Sequence, residues 1–334
     1  MYHFRINPDA SSGKGMKIWN QVEAVLKREQ VLYKAYILHN AQEVVKCVKM
    51  LTGSKGKAEQ EKENSLHNMK SGIPSVENTD CRLVVLGGDG TLNAVLNGIE
   101  DFEHTTISCI RTGSGNDFAR NMGISKRYMK VLNGILYHPK EIVLDYGEIC
   151  YLYSDAKAGA AQCRKRFVIS SGMGYDADIC EEVSRSVLKK RLNRIRLGKL
   201  VYLAIGIKQI FTRDVTKAVI STDEEEITVS GLFFVVGMIH AKEGGGVPFC
   251  PKADAEDGLL DVCLVKNMPK WKLCLAVALV YLKQHFLFRD ITEYRCEKLE
   301  VEADKPQWVH MDGETPCQSR KVVMECKRGL RFVK

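Results

Sequence analysis

The order of apolar and polar positions divides the chain into two halves of different character. Up to about residue 145, short apolar runs alternate with segments whose apolar residues recur every three or four positions. The runs are typical of buried strands, and the segments are typical of helices that pack through one face. This alternation predicts a parallel sheet with helices on both faces. The predicted strands are 2–6, 31–38, 83–86 and 105–110, and the predicted helices contain Ile18, Val22 and Val25, then Val44, Val48 and Leu51.

In the second half, strand-like runs follow one another with turns between them, which predicts a β-rich, sandwich-like domain. The runs lie at 142–153, 166–171, 215–221, 232–238, 259–265, 294–303 and 321–326. Two predicted helices interrupt them, at 176–211 with a break near Gly198 and at 270–286.

A length of 334 residues favours two domains. We predict that residues 1–140 and 318–334 form an α/β domain, and that residues 141–317 form the β-rich domain. Residues 53–80 are polar, charged and poor in apolar side chains, so we interpret them as a mobile insertion.

A change from apolar residues to glycine marks the first candidate site. The run Leu83–Leu86 is followed at once by Gly87, Gly88, Asp89, Gly90 and Thr91. Glycines without a Cβ let backbone N–H groups approach a polyphosphate closely. Leu92, Val95, Leu96 and Ile99 then recur at helical spacing, and a helix N-terminus favours an anion. Asp-Gly is also typical of a hairpin, but a hairpin needs a second strand where this sequence predicts a helix.

Two further polar turns follow predicted strands. Asn7, Pro8, Ser12, Gly13 and Lys14 lie after the first strand, and residues 112–120 follow the strand that ends at Ile110. The first turn lacks the spacing of a Walker loop, so a polar strand-to-helix turn is as good an interpretation of it alone. Because the carboxyl ends of parallel strands share one edge, we expect all three turns to converge there.

Composition narrows the class of protein. The N-terminal residues contain no apolar run after a basic region, and the longest apolar stretch, 273–282, is too short to span a bilayer. The 12 cysteines include no C-x-x-C pair, which favours reduced, mostly buried thiols in a cytosol. These features predict a protein that is soluble or lies on a membrane surface.

The net charge of +8 is concentrated in one segment. Residues 185–199 contain seven lysines and arginines and no acid, interleaved with aliphatic residues. Such a segment can lie on anionic lipid or form a solvated helix face. Nucleic acid is the weaker interpretation, because few aromatic residues interleave the cations.

Taken together, these motifs resemble the soluble bacterial diacylglycerol kinases, within the group that also contains sphingosine, ceramide and NAD kinases. The resemblance covers most of the chain. The matching segments are Asn7-Pro8 with Ser12-Gly13-Lys14, Gly87–Thr91, Gly113–Arg120, Gly172–Ala177, Gly244–Gly246 with Pro251–Val262, and Asp312-Gly313-Glu314. The Gly87–Thr91 motif is shared with NAD kinases, and the later segments make the match to lipid kinases specific.

The resemblance implies a role for each matching residue. ATP contacts are expected from Asn7, Pro8, Ser12, Gly13, Lys14, Gly87, Gly88, Asp89, Gly90, Thr91, Leu92, Asn93, Gly113, Ser114 and Arg120. Asp89 and Asp117 are expected to organise Mg²⁺ and water around the phosphates, linked to Lys14 and Arg120. Glu314 matches the general base that takes the proton from a lipid hydroxyl. Asp254, Asp257 and the carbonyl of Leu259 match a structural metal site.

The chain departs from the usual family pattern at several positions. Ser114 stands where threonine is common, Ala94 where an acid is common, and Arg111 lies close to the phosphate turn where a proline usually precedes it. The insertion at 53–80 also lies outside the pattern.

The resulting hypothesis is an ATP-dependent kinase that phosphorylates diacylglycerol or a similar lipid alcohol in the cleft between its domains. It would be a cytoplasmic, peripherally membrane-associated enzyme of phospholipid metabolism without a nucleic-acid partner, and the sequence allows a homodimer. Two alternatives stay open: an NAD kinase-like enzyme, and a nucleotide- or membrane-binding protein without catalysis.

Overall fold

The computed structural model describes residues 1–11, 13–53, 80–155, 159–185 and 198–334. The chain divides into two compact units, Met1–Leu144 with Arg328–Lys334, and Asp145–Lys327. The sequence placed these boundaries earlier, after residues 140 and 317. The second boundary is displaced because the chain passes from one unit to the other inside a single long strand, Glu314–Val333, with no turn to mark the change.

The first unit is a parallel sheet with helices between its strands. In chain order it contains β1 (Tyr2–Ile6), α1 (Lys14–Arg28), β2 (Tyr33–Ile37), α2 (Ala41–Thr52), β3 (Cys81–Gly87), α3 (Asp89–Gly98), β4 (Thr105–Arg111), α4 (Asp117–Asn121) and α5 (Tyr128–Tyr137). The strands lie in the order β4, β3, β1, β2, and every pair is parallel. Arg331 and Phe332 of the last strand pair with β4, also in parallel.

Alternate residues of β1 point to opposite faces of this sheet. Phe4 and Ile6 are fully buried against apolar residues of α1 and α5. Arg5 points to the other face, where burial lowers its pKa to about 10 and where Cys47 and Glu43 of α2 act in the opposite direction. In β3, burial on both faces explains the continuous apolar run Leu83–Leu86 in the sequence.

The second unit is mainly antiparallel. It contains most of β5 (Glu141–Asp155), then β6 (Gly159–Phe167), β7 (Ser170–Gly174), α6 (Tyr175–Arg185), α7 (Gly198–Thr212), β8 (Thr216–Ser221), β9 (Glu226–Met238), β10 (Leu260–Lys266), α8 (Lys270–Tyr281), a 3₁₀ turn (His285–Leu287), β11 (Ile291–Cys296), β12 (Lys298–Met311) and most of β13 (Glu314–Val333). Its main strand order is β11, β10, β9, β7, β12, β13. The prediction of a mixed α/β domain followed by a β-rich domain is confirmed.

Two strands predicted as single runs are interrupted by distant carboxylates. The run 166–171 breaks at Val168 and Ile169, whose N–H groups donate to Asp312 at 2.9 and 2.8 Å. The run 294–303 breaks at Glu297, whose N–H group donates to Asp223. In both cases a carboxylate far along the chain takes hydrogen bonds that a regular strand would give to its neighbour.

Both helices predicted in the second half have counterparts in the structure, and the second is shorter than predicted. The first is described as α6 and α7, and residues 186–197 between them lie outside the described residues, as do residues 54–79 of the predicted insertion. The second ends at Tyr281 because the chain soon takes a left-handed conformation at Lys283, with φ of 58°. In the described part of the chain, no helix has the length and apolar character needed to cross a bilayer. All twelve cysteines are free.

Candidate active site

The turn after β3 is shaped by the close approach of two residues. A Cβ on Gly87 would lie 2.4 Å from the Cβ of Thr91, so only glycine fits there without displacement. The carbonyl of Gly88 accepts hydrogen bonds from the N–H groups of Thr91 and Leu92, both at 3.1 Å, and α3 begins at Asp89. The strand therefore passes into a helix within two residues, as the sequence pattern predicts.

The turn after β4 packs directly on the turn after β3. The N–H group of Thr112 donates to the carbonyl of Gly87 at 2.9 Å. A Cβ on Gly113 would lie only 2.6 Å from the Cα of Gly88, so the two backbones are in van der Waals contact. Asn116 has a φ of 53° and donates its side-chain amide to the carbonyl of Gly113 at 2.5 Å.

The carboxylate of Asp89 joins these two turns. It accepts hydrogen bonds from the N–H groups of Asp117 and Phe118 at 3.0 and 3.1 Å, at the start of α4. Asp117 in turn forms an ion pair with Arg120 at 3.1 Å. Acceptance by two backbone donors holds one carboxylate rigidly in place beside a second, and such an acidic pair suits a hard divalent cation such as Mg²⁺.

The N-terminal turn reaches the same edge of the sheet. Asn7 donates its side-chain amide to the hydroxyl of Thr91 at 3.1 Å. Gly13 precedes α1 with a φ of 87° and has no side chain to cap the helix, and the N–H group of Gly15 donates to the carbonyl of Ala10 at 3.3 Å. Lys14 is exposed at the start of this helix, Pro8 is buried, and Ser12 lies outside the described residues.

The remaining predicted ATP contacts fall into two groups. Gly90 and Ser114 are exposed at this edge, whereas Leu92 is buried and the side-chain oxygen of Asn93 accepts from Asn97 at 3.1 Å. Arg111 donates to the carbonyl of Ile124 at 3.3 Å. This hydrogen bond holds the guanidinium of Arg111 against the loop after α4. The sequence alone did not reveal this contact.

Replacing Gly113 with alanine tests the contact between the turns. The added Cβ would meet backbone of Gly88, which cannot rotate away, so we expect a loss of about 1–3 kcal/mol of unfolding free energy. Stabilisation of the protein against heat by ATP should fall as well. Gly134→Ala is the matched control, because its Cβ would have no neighbour closer than 4.0 Å. Equal stability of the two variants would contradict the close approach.

In the second unit, Asp312 anchors the hairpin that presents Glu314. Asp312 has a φ of 47°, and its carboxylate accepts from the N–H groups of Val168, Ile169 and Ser170 at 2.9, 2.8 and 3.2 Å. Glu314 pairs with Met311 across the turn and is exposed at the first position of β13. Three hydrogen bonds to one carboxylate therefore fix the backbone two residues before Glu314.

A buried polar network beneath this hairpin was not predicted. The ring Nε2 of His310 lies 2.7 Å from a carboxylate oxygen of Asp176, and Ser170 donates its hydroxyl to Glu243. Burial by itself lowers the pKa of His310, but the charge of Asp176 and its hydrogen bond, helped by Glu243 and Asp312, raise that pKa to about 9. The imidazole is therefore a cation at neutral pH.

Glycine makes room for this network. A Cβ on Gly172 would lie 2.3 Å from the carboxylate of Asp176 and 2.9 Å from Nε2 of His310. Potential ligand atoms of Asp176, Glu243 and His310 all lie within 4.8 Å of one another. Because Nε2 is already hydrogen-bonded to Asp176, we interpret the group as an ion pair rather than as a metal centre.

The predicted structural metal site remains a prediction. Asp254 accepts from the N–H group of Glu256 at 3.1 Å, and Asp257 accepts from that of Leu259 at 3.0 Å. The second oxygen of Asp257 contacts Arg295. A cation at this loop would share Asp257 with that guanidinium.

Most of the basic segment 185–199 lies outside the described residues.

Each of the two units matches a model of a known protein family. The family model for the diacylglycerol kinase catalytic domain matches residues 2–148, and the model for the YegS C-terminal NAD kinase beta sandwich-like domain matches residues 169–327. The chain belongs to the diacylglycerol/NAD kinase-like family. The segments matched by the two models contain the glycine turns and the Glu314 hairpin, respectively.

Individual members of this family are distant in sequence. The "Putative lipid kinase YtlR" of Bacillus subtilis is 25% identical over 91% of this chain and 92% of its own length. A protein named diacylglycerol kinase from the same organism is 22% identical over 70% of each chain. The crystal structure of a "putative diacylglycerol kinase" from Bacillus anthracis superposes with a TM-score of 0.70 at 16% identity, covering 99% of this chain and 94% of that one. At this identity the superposition shows the shared fold.

Proposed function

We propose that this protein is an ATP-dependent lipid kinase that transfers the γ-phosphate of ATP to the hydroxyl of diacylglycerol or a similar lipid alcohol. The observation that carries the proposal is the junction of the turns after β3 and β4 through Asp89, to which Asn7 joins the N-terminal turn through Thr91. Phosphoryl transfer depends on positioning and on neutralising charge more than on covalent chemistry. A rigid edge of backbone N–H groups and two fixed carboxylates supports that kind of catalysis.

The residues of the first unit would bind and orient ATP. The N–H groups at the start of α1 and α3 favour the phosphates, and Lys14 and Arg120 add positive charge. Mg²⁺ bound near Asp89 and Asp117 would neutralise charge on the phosphate oxygens. Asp89 is held by two backbone donors, so it would keep its orientation while phosphates enter and leave.

Glu314 is proposed as the general base. An alcohol hydroxyl is a weak nucleophile, and transfer of its proton to a carboxylate as the oxygen attacks phosphorus lowers the barrier. Exposure of Glu314 at the start of β13 leaves its carboxylate accessible to a substrate. The hydrogen bonds to Asp312 fix the backbone that carries it.

The substitution Glu314→Gln tests this role. We expect kcat to fall about 100- to 1,000-fold, because glutamine keeps the size of the side chain and cannot accept the proton. Transfer of labelled phosphate from ATP would be measured on a panel of lipid alcohols in detergent, with NAD as an additional acceptor. Glu226→Gln is the matched control, since Glu226 is also exposed at the first position of a strand of the same unit.

Three results would contradict the proposal. Full activity of Glu314→Gln would exclude the general base. Labelling of NAD and of no lipid would identify an NAD kinase-like enzyme. Binding of ATP without transfer to any acceptor would identify a protein without catalysis.

A further inference from the structure

Helix α8 lies at the surface, yet after its first turn it is apolar on every side. Its sequence is Lys-Trp-Lys-Leu-Cys-Leu-Ala-Val-Ala-Leu-Val-Tyr, and only Leu273, Ala276 and Val280 are buried. A helix that is apolar all round is normally enclosed by protein or by lipid. Here Trp271 is 67% exposed and Leu275 is 49% exposed. Beyond the lysines of its first turn, the outer side of α8 therefore presents mainly apolar side chains to water.

The exposed apolar residues form a stripe along the helix. Trp271, Leu275 and Leu282 follow one another at intervals of four and seven residues, which places them on one side of α8 and its C-terminal extension. Leu282 is 65% exposed, and Leu287 in the next turn is 76% exposed. Four large apolar side chains thus stand outside the core within one short segment.

Helix α7 continues this surface. The ammonium group of Lys270 donates to the carbonyl of Phe211 at 2.6 Å, so the start of α8 lies against the end of α7. Phe211 and Ile207, one turn apart, are 56% and 45% exposed. We call the surface formed by Ile207, Phe211, Trp271, Leu275, Leu282 and Leu287 the α7–α8 face.

The charges of α8 and the residues that flank it have one sign. Residues 267–289 include Lys270, Lys272, Lys283 and Arg289 and no carboxylate. Lys272 pairs with Asp290 at 3.1 Å, while Lys270, Lys283 and Arg289 are exposed. Apolar side chains ringed by cations are typical of a helix that lies in the interface of an anionic membrane. Trp271 and Tyr281, near the two ends of α8, are residues enriched at that interface.

A second copy of the chain fits this surface less well. A symmetric dimer brings the same patch of both copies together, so the cations of one copy would meet those of the other. An anionic bilayer supplies the opposite charge and an apolar interior. The charge pattern therefore selects a lipid surface as the occupant.

We propose that the α7–α8 face docks the protein on anionic membranes, with Trp271, Leu275 and Phe211 inserted among the lipid headgroups. This inference deepens the proposed function, because a kinase for a membrane lipid must reach its substrate at a bilayer. Docking itself requires neither ATP nor catalysis, so the two proposals can be tested separately.

The experiment measures co-sedimentation of the full chain with vesicles of phosphatidylcholine, with and without about one third phosphatidylserine. We expect the doubly substituted Trp271→Glu/Leu275→Glu protein to bind phosphatidylserine vesicles at least ten times more weakly than the unsubstituted protein. Met50→Glu is the matched control, because Met50 is an equally exposed apolar residue of a helix in the first unit. Its binding should not change.

Tryptophan emission gives an independent readout. The chain has three tryptophans, of which Trp19 is buried and Trp308 is half-buried, so the blue shift on adding vesicles is assigned to Trp271 by its loss in Trp271→Phe, which keeps an apolar side chain. Equal binding of the double variant and the control would overturn the proposal. So would loss of a dimer, rather than of vesicle binding, in the double variant.

The outcomes also separate docking from catalysis. Phosphorylation of a short-chain diacylglycerol dispersed as monomers should be unchanged in the double variant. Absence of that activity with intact, face-dependent vesicle binding would refute the kinase and leave docking in place. If the unsubstituted protein phosphorylates the dispersed lipid but does not bind vesicles, the docking proposal is refuted and the kinase proposal stands.

Discussion

Replacing Asp89 with asparagine is expected to lower kcat/KM for phosphoryl transfer about 1,000-fold, which corresponds to about 4 kcal/mol of transition-state stabilisation. Asparagine has one acceptor oxygen where Asp89 uses two, so its amide would face the N–H group of Asp117 or Phe118. The change also removes a negative charge where Mg²⁺ is proposed to bind. Both effects act on the junction between the turns, so activity and ATP binding should fall together.

The matched control for this variant is Asp101→Asn. Asp101 also accepts a backbone hydrogen bond in the first unit, from His104 at 3.1 Å, but it belongs to none of the three turns. Steady-state kinetics with varied ATP, and thermal unfolding with and without ATP and Mg²⁺, would compare the two proteins. Activity of Asp89→Asn within threefold of the control would show that the junction is not the catalytic edge.

The glycine turns could be predicted because their signals are local. A strand that runs into Gly87 and Gly88 and then into a helix leaves few alternatives for the backbone, and parallel strands bring such turns to one edge. The contact between Asn7 and Thr91 joins residues 84 positions apart, yet it follows from the adjacency of β1 and β3. The sequence does not indicate that the carboxylate of Asp89 accepts hydrogen bonds from the first N–H groups of α4.

Features produced by distant side chains were not predictable from local pattern. The runs 166–171 and 294–303 are each predicted as one strand, because no neighbouring residue indicates that their backbone N–H groups donate to the carboxylates of Asp312 and Asp223. In the same way, the apolar run 273–282 could be recognised as too short to span a bilayer, but its exposure depends on what the rest of the unit leaves uncovered.

The buried network of His310 belongs to this second class. His310, Asp176 and Glu243 are separated by more than 60 positions along the chain, and no spacing rule connects them. One signal was present, since Gly172 and Asp176 both lie in the segment Gly172–Ala177 that carries the family resemblance. The structure explains why glycine occupies position 172, because a side chain there would displace the ion pair of Asp176 and His310.

Replacing His310 with glutamine is expected to lower the unfolding free energy by about 3–5 kcal/mol near neutral pH, because it leaves the carboxylate of Asp176 buried without its cationic partner. The folded-state pKa of His310, about 9, lies above its ordinary value of 6.5. A raised pKa contributes stability that is fully present below about pH 6.5 and is lost as the pH rises through 9. The difference between the unsubstituted protein and the variant should therefore shrink between pH 6.5 and 10.

Chemical unfolding at several pH values measures this difference. His104→Gln is the matched control, since His104 also pairs with an aspartate, Asp101, but at the surface, where we expect an effect below about 1 kcal/mol. Asp176→Asn should reproduce the pH dependence of His310→Gln, because either change removes the ion pair. A difference that stays constant up to pH 10 would show that His310 is not charged in the folded protein. A difference that disappears with a chelator would instead assign Asp176, Glu243 and His310 to a metal ion.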